Sequence, residues 1–211
     1  MIENIDICKK CGGRCCKKSG CDYIPKDFND LSTNGLYEKL KEGNISIVAT
    51  LKFEKLPNGN IFANPFLYLR ARNINRNIID LLSMKTTCSQ LTETGCRYNY
   101  EERPSIGKNL IPQEDLKCYP HEKPMILMQS WESYQKILFK LVKRFTGLTV
   151  EERLAQDAQK LFIDVLENNF DGISPAEILD IKNMIVQLSL AYPQELNNAL
   201  QKCKIKTYQK R

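Results

Sequence analysis

The sequence predicts an α+β fold in which a small cysteine-rich domain with a short hairpin, residues 1–124, precedes a helical C-terminal bundle, residues 125–211. Two observations predict this organisation. Eight of the nine cysteines lie before residue 119, whereas apolar residues recur at three- and four-residue steps after residue 130. A chain of 211 residues with 42% hydrophobic content is long enough for one core with a helical extension.

A strand and turn pattern lies between the two groups of cysteines. Residues 45–54 are rich in β-branched side chains and partly alternate, which predicts a strand. The Pro-Asn-Gly-Asn turn at residues 57–60 predicts that residues 61–63 return as the second strand of a hairpin. Short helices are predicted for residues 25–31 and 75–83.

Helical periodicity dominates the C-terminal region. The apolar side chains of residues 131–145 form one stripe, which predicts a helix that ends at Gly147. The next helix is predicted to begin at Thr149, because Thr149 and Glu152 have the spacing of a capping box.

Two further helices are predicted toward the C-terminus. The stretch Ser174-Pro175-Ala176-Glu177 combines an N-cap, a first-turn proline and a box glutamate. Pro193 interrupts or ends that helix, and residues 194–203 are predicted to form a last short helix before a frayed end at residues 202–211. Cys203 follows apolar residues at helical spacing, which predicts a position in the core.

Charge and composition narrow the classes of function. The net charge of +6 is spread along the chain, which favours a solvated surface over nucleic-acid binding. The single histidine, His121, disfavours Ser-His-Asp and Cys-His catalysis. No apolar run predicts a membrane span, and residues 1–6 lack the order of a secretion signal. We therefore expect a cytoplasmic protein, in which reduced thiols favour metal binding over disulfides.

The first five cysteines form the strongest motif in the chain. Cys8-Lys9-Lys10-Cys11 is followed by Gly12-Gly13-Arg14-Cys15-Cys16 and then by Cys21. Two thiolates of a C-x-x-C unit can bind one metal, while backbone amides and neighbouring cationic side chains stabilise their charge. The adjacent side chains of Cys15 and Cys16 tend to diverge, which favours ligation of two centres or one sulfur that faces the core.

A second group of cysteines lies downstream and carries a resemblance to a known family. The group comprises Cys88, Cys96 and Cys118, with Tyr100-Glu101-Glu102-Arg103-Pro104 between the last two. Together with the Cys-x-x-Cys and Cys-Cys opening, these motifs resemble the YkgJ family, which is described as zinc- or iron-chelating. The resemblance spans residues 8–118 and implies a metal-binding domain over residues 1–124.

The same cysteine region is similar to that of flagellin lysine methylases, which are thought to need an iron–sulfur cluster. One stretch departs from the YkgJ pattern. Residues 105–108 read Ser-Ile-Gly-Lys, where many relatives have a cysteine soon after the Arg-Pro step. Cys118 is expected to take that ligand role through a longer loop.

The predicted metal ligands are eight thiolates: Cys8, Cys11, Cys15, Cys16, Cys21, Cys88, Cys96 and Cys118. Sulfur ligands in tetrahedral geometry suit both zinc and iron–sulfur clusters, so the expected cofactor is zinc or iron, including a 4Fe-4S cluster. Eight ligands are enough for two four-ligand centres or for one centre with spare thiols. His121 is either a further ligand or polar surface.

Three functions are compatible with the sequence. The first is a metal-binding cysteine-cluster protein, and the second is an iron–sulfur-dependent enzyme that modifies proteins, similar to lysine methylases. The third is a structural-zinc module whose helical C-terminal region binds a protein partner. Arg70 and Arg72 are interpreted as solvated edge charges or an anion site, and Glu102 and Arg103 as residues that fix their loop.

Overall fold

The computed structural model describes residues 10–13, 16–17, 21–72, 77–82, 87–93, 95–112, 114–115, 118–120, 123–173 and 175–209. The strands are β1 (Ile45–Lys55), β2 (Ile61–Ala71), β3 (Leu91–Thr92), β4 (Gly95–Cys96), β5 (Leu110–Pro112) and β6 (Cys118–Pro120). The helices are α1 (Thr33–Lys41), α2 (Ser105–Lys108), α3 (Pro124–Gln129), α4 (Gln135–Thr146), α5 (Val150–Leu166), α6 (Pro175–Ala191) and α7 (Pro193–Gln209). Consecutive strands pair in antiparallel two-stranded sheets. These elements confirm the predicted α+β class.

β1 and β2 form a long hairpin in which Ile45 lies opposite Ala71. The first strand was predicted correctly, but the prediction of a short second strand over residues 61–63 is wrong, since β2 has 11 residues. Its odd-numbered positions from Ala63 to Ala71 are buried, as expected for a strand with one face on the core. Pro65 lies within this strand, and a proline normally argues against a strand interior.

The outer edge of β1 is paired with residues 77–82. The N–H of Ile47 donates to the carbonyl of Ile78 at 2.8 Å, and the N–H of Asp80 donates to the carbonyl of Ile47 at 2.9 Å. The predicted helix over residues 75–83 is therefore wrong for its described part, because these backbone groups pair with β1 instead of forming helical turns.

The outer edge of β2 is covered by residues 21–23 and by one side chain. The N–H of Tyr23 donates to the carbonyl of Leu69 at 2.8 Å. Further along the edge, the amide of Gln135 accepts the N–H of Leu67 at 2.9 Å and donates to its carbonyl at 2.8 Å. These contacts satisfy backbone groups that would otherwise be available to another chain.

Helix α1 is absent from the predicted elements. It begins after Ser32, whose hydroxyl accepts the N–H of Gly35 at 3.0 Å. The first turn contains residues of low helix propensity, so its sequence gives little local signal. Leu36 and Leu40 are fully buried, and their packing supplies the stability that the local sequence does not. The predicted helix at residues 25–31 is shorter, a single 3₁₀ turn over Pro25–Asp27.

The three predicted helices are present as α4, α5 and α6, although α4 begins at Gln135, after a 3₁₀ turn over Glu132–Tyr134, and not at residue 131. Gly147 ends α4 with a φ of 76°, and Thr149 and Glu152 form the predicted capping box. Helix α6 begins at Pro175, as predicted. The prediction of a frayed end is wrong for residues 202–209, because α7 extends to Gln209. None of the helices in the described ranges is long and apolar enough to cross a bilayer.

One hydrophobic core continues across residue 124. It combines buried side chains of the hairpin and α1 with those of α4 and α5. Trp131 is fully buried in this core, and its Nε1–H donates to the carbonyl of Tyr23 at 2.8 Å. This hydrogen bond ties the start of the helical region to the segment that follows Cys21.

Replacing Thr149 with alanine is expected to lower the free energy of unfolding by about 1 kcal/mol. The hydroxyl of Thr149 accepts the N–H of Glu152 at 3.2 Å, and alanine leaves that donor without its partner. Urea unfolding measures the loss. Thr149→Ser retains the acceptor and is the matched control, so an equal loss in both variants would contradict the capping explanation.

Candidate metal centre

Backbone hydrogen bonds bring three predicted ligands to one end of β2. The N–H of Ala71, the last residue of β2, donates to the carbonyl of Cys21 at 2.7 Å. The N–H of Cys88 donates to the carbonyl of Cys16 at 2.8 Å. Next to these contacts, the N–H of Ser89 donates to the carbonyl of Arg72 at 2.9 Å. The two cysteine groups, far apart in the sequence, therefore meet through their backbones.

The short β3–β4 hairpin adds Cys96 to this region. Cys96 lies opposite Leu91 in the hairpin, and the N–H of Leu91 donates to the carbonyl of Cys88 at 3.1 Å. Gly13 packs directly against Leu91, since a Cβ at Gly13 would lie 2.2 Å from the Cδ1 atom of Leu91. Gly13 also has a φ of 76°, a backbone conformation that favours glycine. The segment with Cys11 is thereby held near Cys96.

The thiol of Cys88 is buried, with 3% of its surface exposed. Burial raises the pKa of the Cys88 thiol, and the nearby Cys96 adds to the rise, whereas a hydrogen bond from the backbone of Gln90 opposes it. An amide N–H that points at sulfur stabilises a thiolate, as in metal–sulfur sites. A bound cation would supply the remaining stabilisation that the buried thiolate needs.

The sulfur of Cys21 lies against Gly107 of α2. A Cβ at Gly107 would be 2.2 Å from Sγ of Cys21, so a larger residue here would force that sulfur to move. The start of α2 is anchored by Asp27, whose carboxylate accepts the N–H of Ser105 at 3.0 Å and also its hydroxyl. The Ser-Ile-Gly-Lys stretch thus places the backbone of Gly107 in close contact with a predicted ligand.

Two tyrosine hydroxyl groups lie beside the thiols. Burial raises the pKa of Tyr23, and a hydrogen bond with Tyr98 and the nearby thiols of Cys21 and Cys88 add to the rise. Burial likewise raises the pKa of Tyr98, with contributions from Cys88 and Cys96. One of the two hydroxyl groups donates to the other, so the accepting phenol keeps its own O–H as a hydrogen-bond donor for sulfur.

A buried ion pair lies next to Cys21. Arg70 contacts Asp22 through Nε at 2.6 Å and Nη2 at 3.3 Å, and it also donates to the hydroxyl of Tyr68 at 3.0 Å. Burial acts to lower the pKa of Arg70, but the Asp22 carboxylate together with Tyr68 and Asp80 raises that pKa above its usual value. The interpretation of Arg70 as a solvated edge charge is therefore wrong: its side chain is only 13% exposed.

The structure describes the side chains of some of the other predicted site residues, only the backbone of Cys118, and neither for the rest. Cys11, Cys16 and Cys96 are half-buried, as is Cys203 on α7. Cys8, Cys15 and His121 lie outside the described residues. For Cys118 the structure gives the backbone, which pairs with Pro112 in the β5–β6 hairpin. That hairpin begins shortly after α2, the helix that contacts the sulfur of Cys21.

The loop around Glu102 has the structural role that its sequence predicted. The carboxylate of Glu102 accepts the N–H of Asn99 at 3.1 Å, and the side chain of Asn99 accepts the N–H of Glu102 at 3.0 Å. This reciprocal pair fixes the turn between Cys96 and α2, so Glu102 acts through backbone contacts.

Within the described ranges, no three histidine, cysteine, aspartate or glutamate side chains lie together in a group that could hold a metal ion. The six cysteines with described side chains form no disulfide. A complete centre would therefore draw on the thiols of Cys8, Cys15 or Cys118 in addition to those whose side chains are described.

Comparison of the chain with protein families, curated proteins and solved structures gave no match. Its function is therefore argued from its own residues.

Proposed function

We propose that this chain is a cytoplasmic cysteine-cluster protein that binds zinc or iron, including iron in a 4Fe-4S cluster. The proposed ligands come from the two cysteine groups: Cys8, Cys11, Cys15, Cys16, Cys21, Cys88, Cys96 and Cys118. The motif resemblance to the YkgJ family over residues 8–118 agrees with this proposal.

One observation carries the proposal: the N–H of Cys88 bonds to the carbonyl of Cys16. A metal with four sulfur ligands needs thiolates from both groups within a few ångströms of one point. Closing the long loop between these positions costs chain entropy, which a shared metal would offset. The contact supports the view that the two groups serve the same inorganic site.

The surroundings of the thiols also suit metal ligation. The backbone of Gln90 donates to the sulfur of Cys88, and the hydroxyl groups of Tyr23 and Tyr98 lie close by. Hydrogen bonds to ligating sulfur withdraw charge, which stabilises thiolates and raises the reduction potential of an iron–sulfur cluster. Because burial alone favours the neutral thiol of Cys88, the metal and these donors together would hold the thiolate.

Anaerobic purification followed by elemental analysis and absorption spectroscopy tests the proposal. Zinc at about one or two ions per chain without colour, or iron with brown charge-transfer absorption, is the expected result. Metal-free protein whose thiols all react with a thiol reagent under native conditions would overturn it.

Serine substitutions test the ligand assignment. Cys88→Ser and Cys96→Ser are each expected to lower metal content severalfold, because a neutral hydroxyl is a poor ligand for these metals. Cys203→Ser, on α7, is the matched control and is expected to retain full metal content. Circular dichroism verifies that each variant keeps its helices. Equal metal content in all three variants would contradict the assignment.

A further inference from the structure

A polar pocket of about 270 Å³ lies beside the proposed metal centre, and its lining includes the two residues that follow Cys88. Its walls are residues 42–44 after α1, Arg72 after β2, residues 89–90, and Arg97 after β4. At roughly 30 Å³ per water molecule, the pocket has room for about nine waters. That volume suits a small organic acid or a phosphate group and is too small for a dinucleotide.

Backbone hydrogen bonds fix the walls of this pocket relative to one another. The N–H of Arg72 donates to the carbonyl of Asn44 at 2.8 Å, and the N–H of Ser89 donates to the carbonyl of Arg72 at 2.9 Å. The N–H of Arg97 donates to the carbonyl of Gln90 at 2.7 Å. The pocket is thus assembled by the fold before any ligand binds, which lowers the entropic cost of binding.

The guanidinium group of Arg72 is held at the pocket wall. Its Nη1 donates to the carbonyl of Gly43 at 2.9 Å. Gly43 permits this close approach, since a Cβ there would lie 2.9 Å from the same nitrogen. The side chain of Arg97 is exposed at the rim. Two guanidinium groups around one small pocket are the arrangement that binds carboxylate or phosphate oxygens.

The remaining charges leave the pocket cationic. Among the described lining residues Glu42 supplies the one carboxylate, and the ammonium group of Lys39 pairs with that carboxylate at 2.6 Å. The two arginines in the described lining therefore outnumber the single carboxylate. Ser89 and the buried Gln90 add a hydroxyl and an amide, which give neutral hydrogen bonds to an anion.

We propose that this pocket binds a small anion that carries a carboxylate or phosphate group. None of the proposed metal ligands whose side chains are described lines the pocket, so the anion site is distinct from the proposed metal centre. The two sites are nevertheless joined by short backbone connections, since Ser89 follows Cys88 and Arg97 follows Cys96 directly. An anion in the pocket would therefore stabilise the turn that presents these two thiols.

Titration calorimetry of the full chain at low ionic strength tests this proposal with inorganic phosphate and, in a separate arm, succinate. We expect saturable one-site binding of at least one probe, and the stronger probe identifies the preferred chemistry. Arg97→Gln is expected to weaken binding about tenfold or more, because it removes charge-assisted hydrogen bonds. Lys160→Gln removes the same charge from the exposed face of α5 and is expected to leave the affinity within twofold.

A second variant tests whether the pocket prefers anions or cations. Glu42→Gln removes the lining carboxylate, so it is expected to strengthen anion binding severalfold. If the pocket bound a cation instead, Glu42→Gln would weaken the binding of that cation. The proposal is overturned if neither probe binds to the wild-type chain at millimolar concentration, or if Arg97→Gln and Lys160→Gln weaken binding equally.

Discussion

Removal of the proposed metal by a high-affinity chelator is expected to release the two cysteine segments, residues 10–21 and 87–97, while the hairpin and helices stay folded. Metal–thiolate binding contributes on the order of 10 kcal/mol in small zinc domains. The described parts of these segments contain few large apolar side chains, so backbone hydrogen bonds and little apolar packing hold them when the metal is absent. The hairpin and α4, in contrast, share a fully buried core that includes Ile47, Leu67 and Leu138.

Hydrogen exchange followed by mass spectrometry measures this release. The amide of Cys88 is the critical reporter, because its N–H bonds to Cys16 across the two segments. Its exchange is expected to accelerate strongly after chelation, whereas amides of β1 and β2 remain protected. Trp131, the single tryptophan, supplies an internal control, since its buried indole should keep its fluorescence emission wavelength.

Two outcomes would contradict this prediction. Unchanged exchange at Cys88 after complete loss of metal would show that the segments meet without the metal. Exposure of Trp131 together with the cysteine segments would show that the apolar core is not stable by itself. Re-addition of the metal to the chelated protein is the reversibility control, and it is expected to restore the protection.

Local patterns were sufficient to predict α4, α5, the start of α6 and the first strand. The apolar period of residues 131–145 and the capping box at Thr149 each depend on neighbours within one or two turns. The second strand was predicted too short. Pro65 argues against a strand in the sequence, yet buried and more exposed residues alternate through it in β2. Residues 77–82 combine adjacent apolar residues that fit either a helix or an edge segment, and pairing with Ile47 decides between them.

The surroundings of the cysteines were harder to predict than the cysteines themselves. Cysteine spacing identifies the two groups, but Asp22 and Arg70 are 48 positions apart, and their pairing depends on the register of β2 against residues 21–23. The contact between Gly107 and the sulfur of Cys21 could not be predicted, because the two residues are distant in the sequence and glycine contributes no side chain to it. Asp27 likewise acts on Ser105, a residue far along the chain.

Replacing Asp22 with asparagine is expected to lower the free energy of unfolding by about 3–5 kcal/mol. Asp22 is 6% exposed, and it neutralises an arginine that is itself buried. The asparagine amide keeps the shape of the carboxylate but leaves the Arg70 cation without a counter-charge. Arg70→Met should lower the free energy of unfolding by a similar amount, because it leaves the Asp22 carboxylate buried and unpaired.

A double-mutant cycle separates this effect from general disruption. The variant with both Asp22→Asn and Arg70→Met is expected to be much closer to wild type than the sum of the single losses, since no unpaired charge remains. Urea unfolding at pH 7 measures all four proteins. Lys52 and Glu54 are the control on the same hairpin: their exposed ion pair at 2.9 Å should contribute less than about 1 kcal/mol.

The position of Asp22 extends this prediction to the metal centre. Asp22 lies between Cys21, a proposed ligand, and Tyr23, whose carbonyl accepts the indole of Trp131. An unpaired Arg70 would draw water into this region and loosen the backbone pairing of residues 21–23 with β2. The Asp22→Asn variant should therefore lose metal to a chelator faster than wild type, whereas variants of Lys52 and Glu54 should not. Equal rates would show that the ion pair stabilises the hairpin edge without positioning the thiol of Cys21.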